Sequence, residues 1–199
     1  MSNADIRICF FGDSIVNGTH DIHGLGWPGR VCSAAIRAGH EVTHYNLGIR
    51  RNTSADVAGR WVAESESRLS AGHDGRVVFS FGTNDTVIEN GRLRVDFEST
   101  LGNASLILGE AKGKYPCLWV GPAPVDDAAH NERLRSLCAA FRELAGKIGV
   151  AYLPVLEPLM GSSVWMGEVA AGDGAHPQNN GYGELARLVQ EWDGWWFRD

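Results

Sequence analysis

No apolar stretch in the 199-residue sequence approaches the roughly 20 residues that a membrane-crossing helix needs, so no membrane insertion is expected. The first five residues, Met1-Ser2-Asn3-Ala4-Asp5, hold neither a basic segment nor an apolar one, so no secretory leader is expected and a cytoplasmic location is. The four cysteines (Cys9, Cys32, Cys117, Cys138) lack Cys-x-x-Cys spacing and fall in apolar periodic segments. They read as small buried hydrophobes in a reducing compartment rather than as disulfides. Basic residues are scattered and outnumbered, 18 against 24 acidic ones for a net charge of −6, which argues against a nucleic-acid partner. Repeats, low-complexity tracts and linkers are absent, so residues 1–199 read as one domain. Neither Gly-x-Gly-x-x-Gly nor a P-loop follows the first apolar run, and no cofactor is expected.

What is present is a globular composition, 44% hydrophobic and 21% charged. Short apolar runs at 6–11, 41–46, 76–81, 117–121 and 150–153 alternate with segments of helical period. The clearest is Leu134, Leu137, Cys138, Phe141, Ala145 and Ile148; Tyr182, Leu185, Ala186, Val189 and Trp196 repeat it, and Phe97, Leu101, Leu108 and Ala111 give a looser version. Two earlier helices are expected at 27–38 and 54–69, the second capped by Thr53 or Ser54. This alternation predicts a three-layer α/β/α fold around a mostly parallel five-stranded sheet in the flavodoxin-like order 2-1-3-4-5. In that order a crevice opens at the carboxyl ends of the first and third strands.

Four polar, Gly-punctuated segments fall on that edge: Gly12-Asp13-Ser14-Ile15-Val16-Asn17-Gly18 after the first strand, Asn46-Leu47-Gly48-Ile49-Arg50-Arg51-Asn52-Thr53-Ser54 after the second, Gly82-Thr83-Asn84-Asp85 after the third, and Asp173-Gly174-Ala175-His176-Pro177 before the last helix. Each alone is ordinary turn chemistry. Together, in this order, they resemble the four blocks of the SGNH hydrolase superfamily, the GDSL-type esterases and lipases, along nearly the whole chain, with Ile15 where Leu is usual. The resemblance implies a serine esterase acting on a small-molecule ester, with Ser14 as nucleophile, Asp173 and His176 as the charge-and-base pair, and Ser14, Gly48 and Asn84 as the oxyanion hole.

The chemistry of those residue types agrees. A serine hydroxyl attacks only when a base takes its proton, and an imidazole is the natural base near neutral pH. A carboxylate three residues before His176 can fold back on Nδ1–H and leave Nε2 for Ser14. Gly48, with no Cβ, could bring its N–H close to a substrate oxygen. Pro177 is expected to start the last helix, Asp126 and Asp127 to sit at a helix start, and Asp13 and Asp85 to brace their loops. His20 and His23 read as rim or solvent residues, kept from any orienting carboxylate by a flexible loop. His40 and His44 have metal-ligand spacing, but the second falls in a strand, so no metal is expected. Arg50-Arg51 either meets an anionic substrate or pairs with acidic neighbours. The Trp-rich end, 192–197, reads as core plus an exposed patch, and such a patch would favour a homo-oligomer.

Short loops without an apolar lid favour short acyl groups, among them acetyl on a sugar. A thioesterase or acyltransferase would use the same Ser-His-Asp site. A non-catalytic flavodoxin-like binding module would need these residues to coincide by chance.

Overall fold

Strand β1 (Ile6–Gly12) is apolar on both faces: Ile8 and Phe10 enter one core cluster, Cys9 and Phe11 the other. Such a strand belongs inside a parallel sheet covered on both sides, and the computed structural model, which describes residues 5–197, places it there. The remaining strands in chain order are β2 (Val42–Gly48), β3 (Asp74–Ser80), the short antiparallel pair β4 (Ile88–Glu89) and β5 (Arg92–Leu93), β6 (Cys117–Val120) and β7 (Ala151–Leu153). The main sheet runs β2-β1-β3-β6-β7 with every pair parallel, which is the 2-1-3-4-5 order expected once the hairpin is set aside.

The helices are α1 (Ser14–Asn17), α2 (Gly26–Arg37), α3 (Ser54–Glu66), α4 (Phe97–Lys114), α5 (Ala128–Ile148), α6 (Leu156–Met160), α7 (Ser163–Ala171) and α8 (Asn179–Glu191). On the Phe10 face, α2, α7 and α8 supply Trp27, Trp165 and Tyr182 to the core. On the Phe11 face, α3, α4 and α5 supply Trp61, Ile107 and Phe141. Two long helices start as their local chemistry directs: Thr53 and Asp56 form a capping box on α3, and the Asp127 carboxylate accepts the His130 N–H to cap α5. No helix among the described residues is long and apolar enough to cross a membrane.

Register decides what this frame presents. Gly12 lies opposite Gly48 on one side and Ser80 on the other, so β1, β2 and β3 end level. The Arg60 guanidinium ties two of those ends by donating to the carbonyls of Gly12 (3.1 Å) and Leu47 (2.8 Å). The loops after them therefore leave from one line.

Three sequence expectations are corrected. Helix α8 starts at Asn179, not Pro177, because Gln178 is extended and the Glu168 carboxylate of α7 accepts the N–H groups of Gln178, Asn180 and Gly181 in place of a local cap. It ends at Glu191, so Trp196 lies outside it. The aromatic end instead folds onto the core: Trp195 is buried, and Trp196 and Phe197 are half-buried under the Arg76 guanidinium, 5.1 and 5.4 Å from the ring centres. Helix α3 stops at Glu66, three residues short of Leu69.

Candidate active site

Asp13 follows β1 and caps α1, its carboxylate accepting the Ile15 N–H at 2.9 Å. This turn puts Ser14 at the first position of a helix, where a backbone N–H has no partner within the helix. The side chain of Ser14 is held at one spot: its Oγ lies 2.7 Å from Nε2 of His176, and Nδ1 of that ring lies 2.7 Å from Oδ2 of Asp173. A carboxylate only accepts, so Nδ1 carries the proton and Nε2 is left to accept from the hydroxyl. The other oxygen of Asp173 accepts the N–H groups of Ala175 (3.0 Å) and His176 (2.9 Å), a turn made possible by Gly174 at φ +79°. Partial burial works against the Asp173 charge, but the His176 ring and these two N–H groups outweigh it and hold the carboxyl well below the usual range. The sequence places Ser14 162 residues before His176 and Asp173 three residues before it; the fold joins the three into one hydrogen-bonded line.

The loop after β3 delivers Asn84. Its amide nitrogen donates to the Asn52 carbonyl (3.1 Å) and, at 3.3 Å, to Asp13, while its oxygen accepts from Arg94 (3.2 Å). Asp85 braces the loop as expected, accepting from the Ser54 N–H and the Thr100 hydroxyl. Burial pushes the Asp85 carboxyl up from its ordinary value, and it pushes Asp13 up to about 7, with the Asp85 charge adding to the rise.

Gly48 does not join this group. Its N–H donates to the Asn46 side chain at 3.1 Å, and it is absent from the cleft wall. The residues of that loop that reach the cleft are Arg50 and Arg51; Arg51 stands at φ +67°, its carbonyl accepts from the Arg94 guanidinium (2.8 Å), and its own N–H has no partner among the described residues. Sequence reasoning treated Arg51 only as a charged side chain and did not single out Arg94; a non-glycine residue with positive φ leaves no mark in a sequence. Of the arginine pair, Arg51 closes on Glu89 (2.5 Å), whereas Arg50 faces the cleft without an ion pair among the described residues.

These loops enclose a cleft of about 470 Å³, walled by Ser14, Asn84, Arg50, Asp126, His130 and His176 among others. His130 is a further residue that sequence reading did not single out. Its Nε2 sits 2.8 Å from the Thr86 hydroxyl and 3.0 Å from the Thr83 carbonyl, and burial lowers its pKa. His20 is also corrected: far from being kept from a carboxylate, its Nδ1 lies 3.9 Å from Asp173 and its ring meets His176 edge-on at 5.3 Å.

Comparison with known proteins gives a consistent picture. A model of the GDSL-like lipase/acylhydrolase family matches residues 10–183. No curated protein sequence matches the chain. Among solved structures, a lipase/acylhydrolase from Enterococcus faecalis superposes with a TM-score of 0.74 at 22% identity, over 92% of each chain. A catalytic mutant of an acetylxylan esterase from Geobacillus stearothermophilus gives 0.75 at 17% identity, covering 100% of this chain and 98% of that one. An alpha/beta hydrolase enzyme from the metagenome of Lake Arreo, Spain, gives 0.75 at 18% identity over 94% of each.

Proposed function

The chain belongs to the GDSL-like lipase/acylhydrolase family, and from that premise we propose that it is a serine esterase that cleaves short-chain or acetyl esters of small polar molecules through an acyl-enzyme. The observation that carries this reading is the unbroken line from Asp173 through His176 to Ser14, with both contacts at 2.7 Å. Ser14 attacks the ester carbonyl while Nε2 of His176 takes its proton, and Asp173 stabilises the imidazolium that results. The proton then passes to the leaving alcohol, and His176 next activates water to release the acid.

Charge on the carbonyl oxygen needs donors aimed at it. The reading assigns these to the N–H of Ser14, the amide of Asn84 and the N–H of Arg51. The 3.3 Å contact of Asn84 with Asp13 is the longer of its two donations and is the one an oxyanion displaces. Arg50 and Asp126 line the cleft without ion-pair partners among the described residues, and both suit hydroxyl groups better than an aliphatic chain. The likeness in fold to an acetylxylan esterase supports an acetylated sugar as the first substrate to try. Four free cysteines support the cytoplasm as the compartment.

A fluorophosphonate probe tests the assignment. The wild-type protein should be labelled and Ser14→Ala should not; labelling that survives the substitution rejects Ser14. Nitrophenyl esters from acetate to laurate then rank the acyl length, with acetate expected to lead.

A further inference from the structure

Beside the proposed proton path stands a second imidazole that hydrolysis does not require. His20 is set on an anchored turn. The Thr19 carbonyl before it accepts the Tyr182 hydroxyl at 2.8 Å. The enclosed carboxylate of Asp21 after it accepts the N–H groups of His23, Leu25 and Gly26 and pairs with Arg30 at 2.5 Å. Between them His20 is held at φ +69°, a left-handed conformation that histidine tolerates better than most residues. The ring is thereby pre-positioned against Asp173.

Three ligand-type atoms converge there: Nδ1 of His20, Oδ2 of Asp173 and Nδ1 of His176. The Asp173 oxygen lies 3.9 Å from the first and 2.7 Å from the last, and one ligand-type atom from each of His20, Asp173 and His176 can be chosen so that all lie within 4.8 Å of one another. A tetrahedral zinc ion with bonds of about 2.0–2.2 Å sets its ligand atoms roughly 3.3–3.5 Å apart. The observed separations bracket that value, so small side-chain rotations suffice. His20 is 43% exposed and Asp173 39%, so an ion reaches the group from solvent. Two imidazole nitrogens and one carboxylate oxygen suit zinc; magnesium and calcium prefer oxygen alone.

We propose that His20, Asp173 and His176 form a zinc site that reversibly switches the enzyme off. The inhibition rests on the esterase reading above; the binding does not. The switch is tautomeric. As the Zn–Nδ1 bond forms, the proton on Nδ1 of His176 is displaced to Nε2 through solvent, with no net change in protons on a neutral ring. Nε2 then donates to Ser14 instead of accepting, and the base is lost, by the same logic that makes loss of the triad carboxylate damaging. A water molecule completes the coordination on the open side.

Calorimetric titration of Zn²⁺ into the wild-type protein and into Ser14→Ala should show one site per chain in both. Nitrophenyl acetate hydrolysis by the wild type should fall with the same midpoint and recover on adding EDTA, and Mg²⁺ should have no effect. His20→Asn, which tolerates the left-handed backbone, should shift both midpoints upward by about tenfold or more while zinc-free hydrolysis is unchanged. His20→Gly supplies the same readout should the Asn variant not fold. Absence of zinc binding, or inhibition of the His20 variant at the wild-type midpoint, overturns the site. Zinc binding with this His20 dependence in a protein that hydrolyses no ester keeps the metal site and removes the esterase reading.

Discussion

The N–H of Gly48 points to the side-chain oxygen of Asn46, 3.1 Å away, and that Asn46 in turn donates to the Val16 carbonyl at 2.8 Å. The end of β2 is thus bound to α1, and the two backbones nearly touch: a Cβ on Gly48 would sit 2.2 Å from the Asn17 nitrogen and 2.7 Å from the Asp13 carbonyl oxygen. Gly48→Ala is therefore expected to destabilise the protein by about 1–3 kcal/mol or more through overpacking. Thermal melting checks this. A variant with an unchanged melting temperature and abolished kcat would return Gly48 to the oxyanion hole.

Asn84 and Arg94 separate a donor from its support. Asn84→Ala should lower kcat by about 10²–10³ with little change in KM, since an oxyanion donor acts on the transition state. Arg94 touches no substrate in this reading but fixes both the Asn84 oxygen and the Arg51 carbonyl. Arg94→Ala should lower kcat less than Asn84→Ala does, again with KM retained, and Arg94→Lys should restore part of the loss. Equal losses in kcat for the Ala and Lys variants would show that these two bonds do not position the donors.

Asp173→Asn should reduce kcat by about 10⁴ while leaving the fold intact, because the amide cannot hold the Nδ1–H tautomer of His176. Stopped or steady-state hydrolysis alongside circular dichroism gives both quantities. A fall of only a few fold would mean that the 2.7 Å contact with His176 orients nothing that the reaction uses.

Asp13 makes stability depend on pH in an unusual direction. Burial raises its carboxyl to about 7 in the folded protein, against about 3.9 in an unfolded chain. Between those values the folded state holds a proton that the unfolded state has released, so this group's contribution to stability falls as pH rises from about 4 to 7. Asn at position 13 keeps an oxygen for the Ile15 N–H and has no proton to lose. Urea unfolding of Asp13→Asn and the wild type should therefore show the difference shifting in favour of the variant across that window. A constant difference would mean that Asp13 stays ionised throughout.

Much of this molecule was legible before folding because the signals are local. The two-sided apolar run of β1 required a central strand, and the helical period of Leu134 to Ile148 required α5. Asp173 and His176 stand three residues apart, close enough for one turn to join carboxylate to ring, and the order of the elements put Ser14 and Asn84 on the same sheet edge. Periodicity and short-range spacing are properties of the chain itself.

What the tertiary structure alone decided is which groups face the cleft once loops from different strands meet. Asn46 takes the Gly48 N–H while Arg50 and Arg51 line the cleft, Arg94 comes in from a hairpin too short to leave a strand signal, and His20 is brought to Asp173 by a turn that Asp21 and Arg30 lock from within. The direction of a hydrogen bond and the approach of two rings depend on neighbours remote in sequence, and only packing brings those neighbours together.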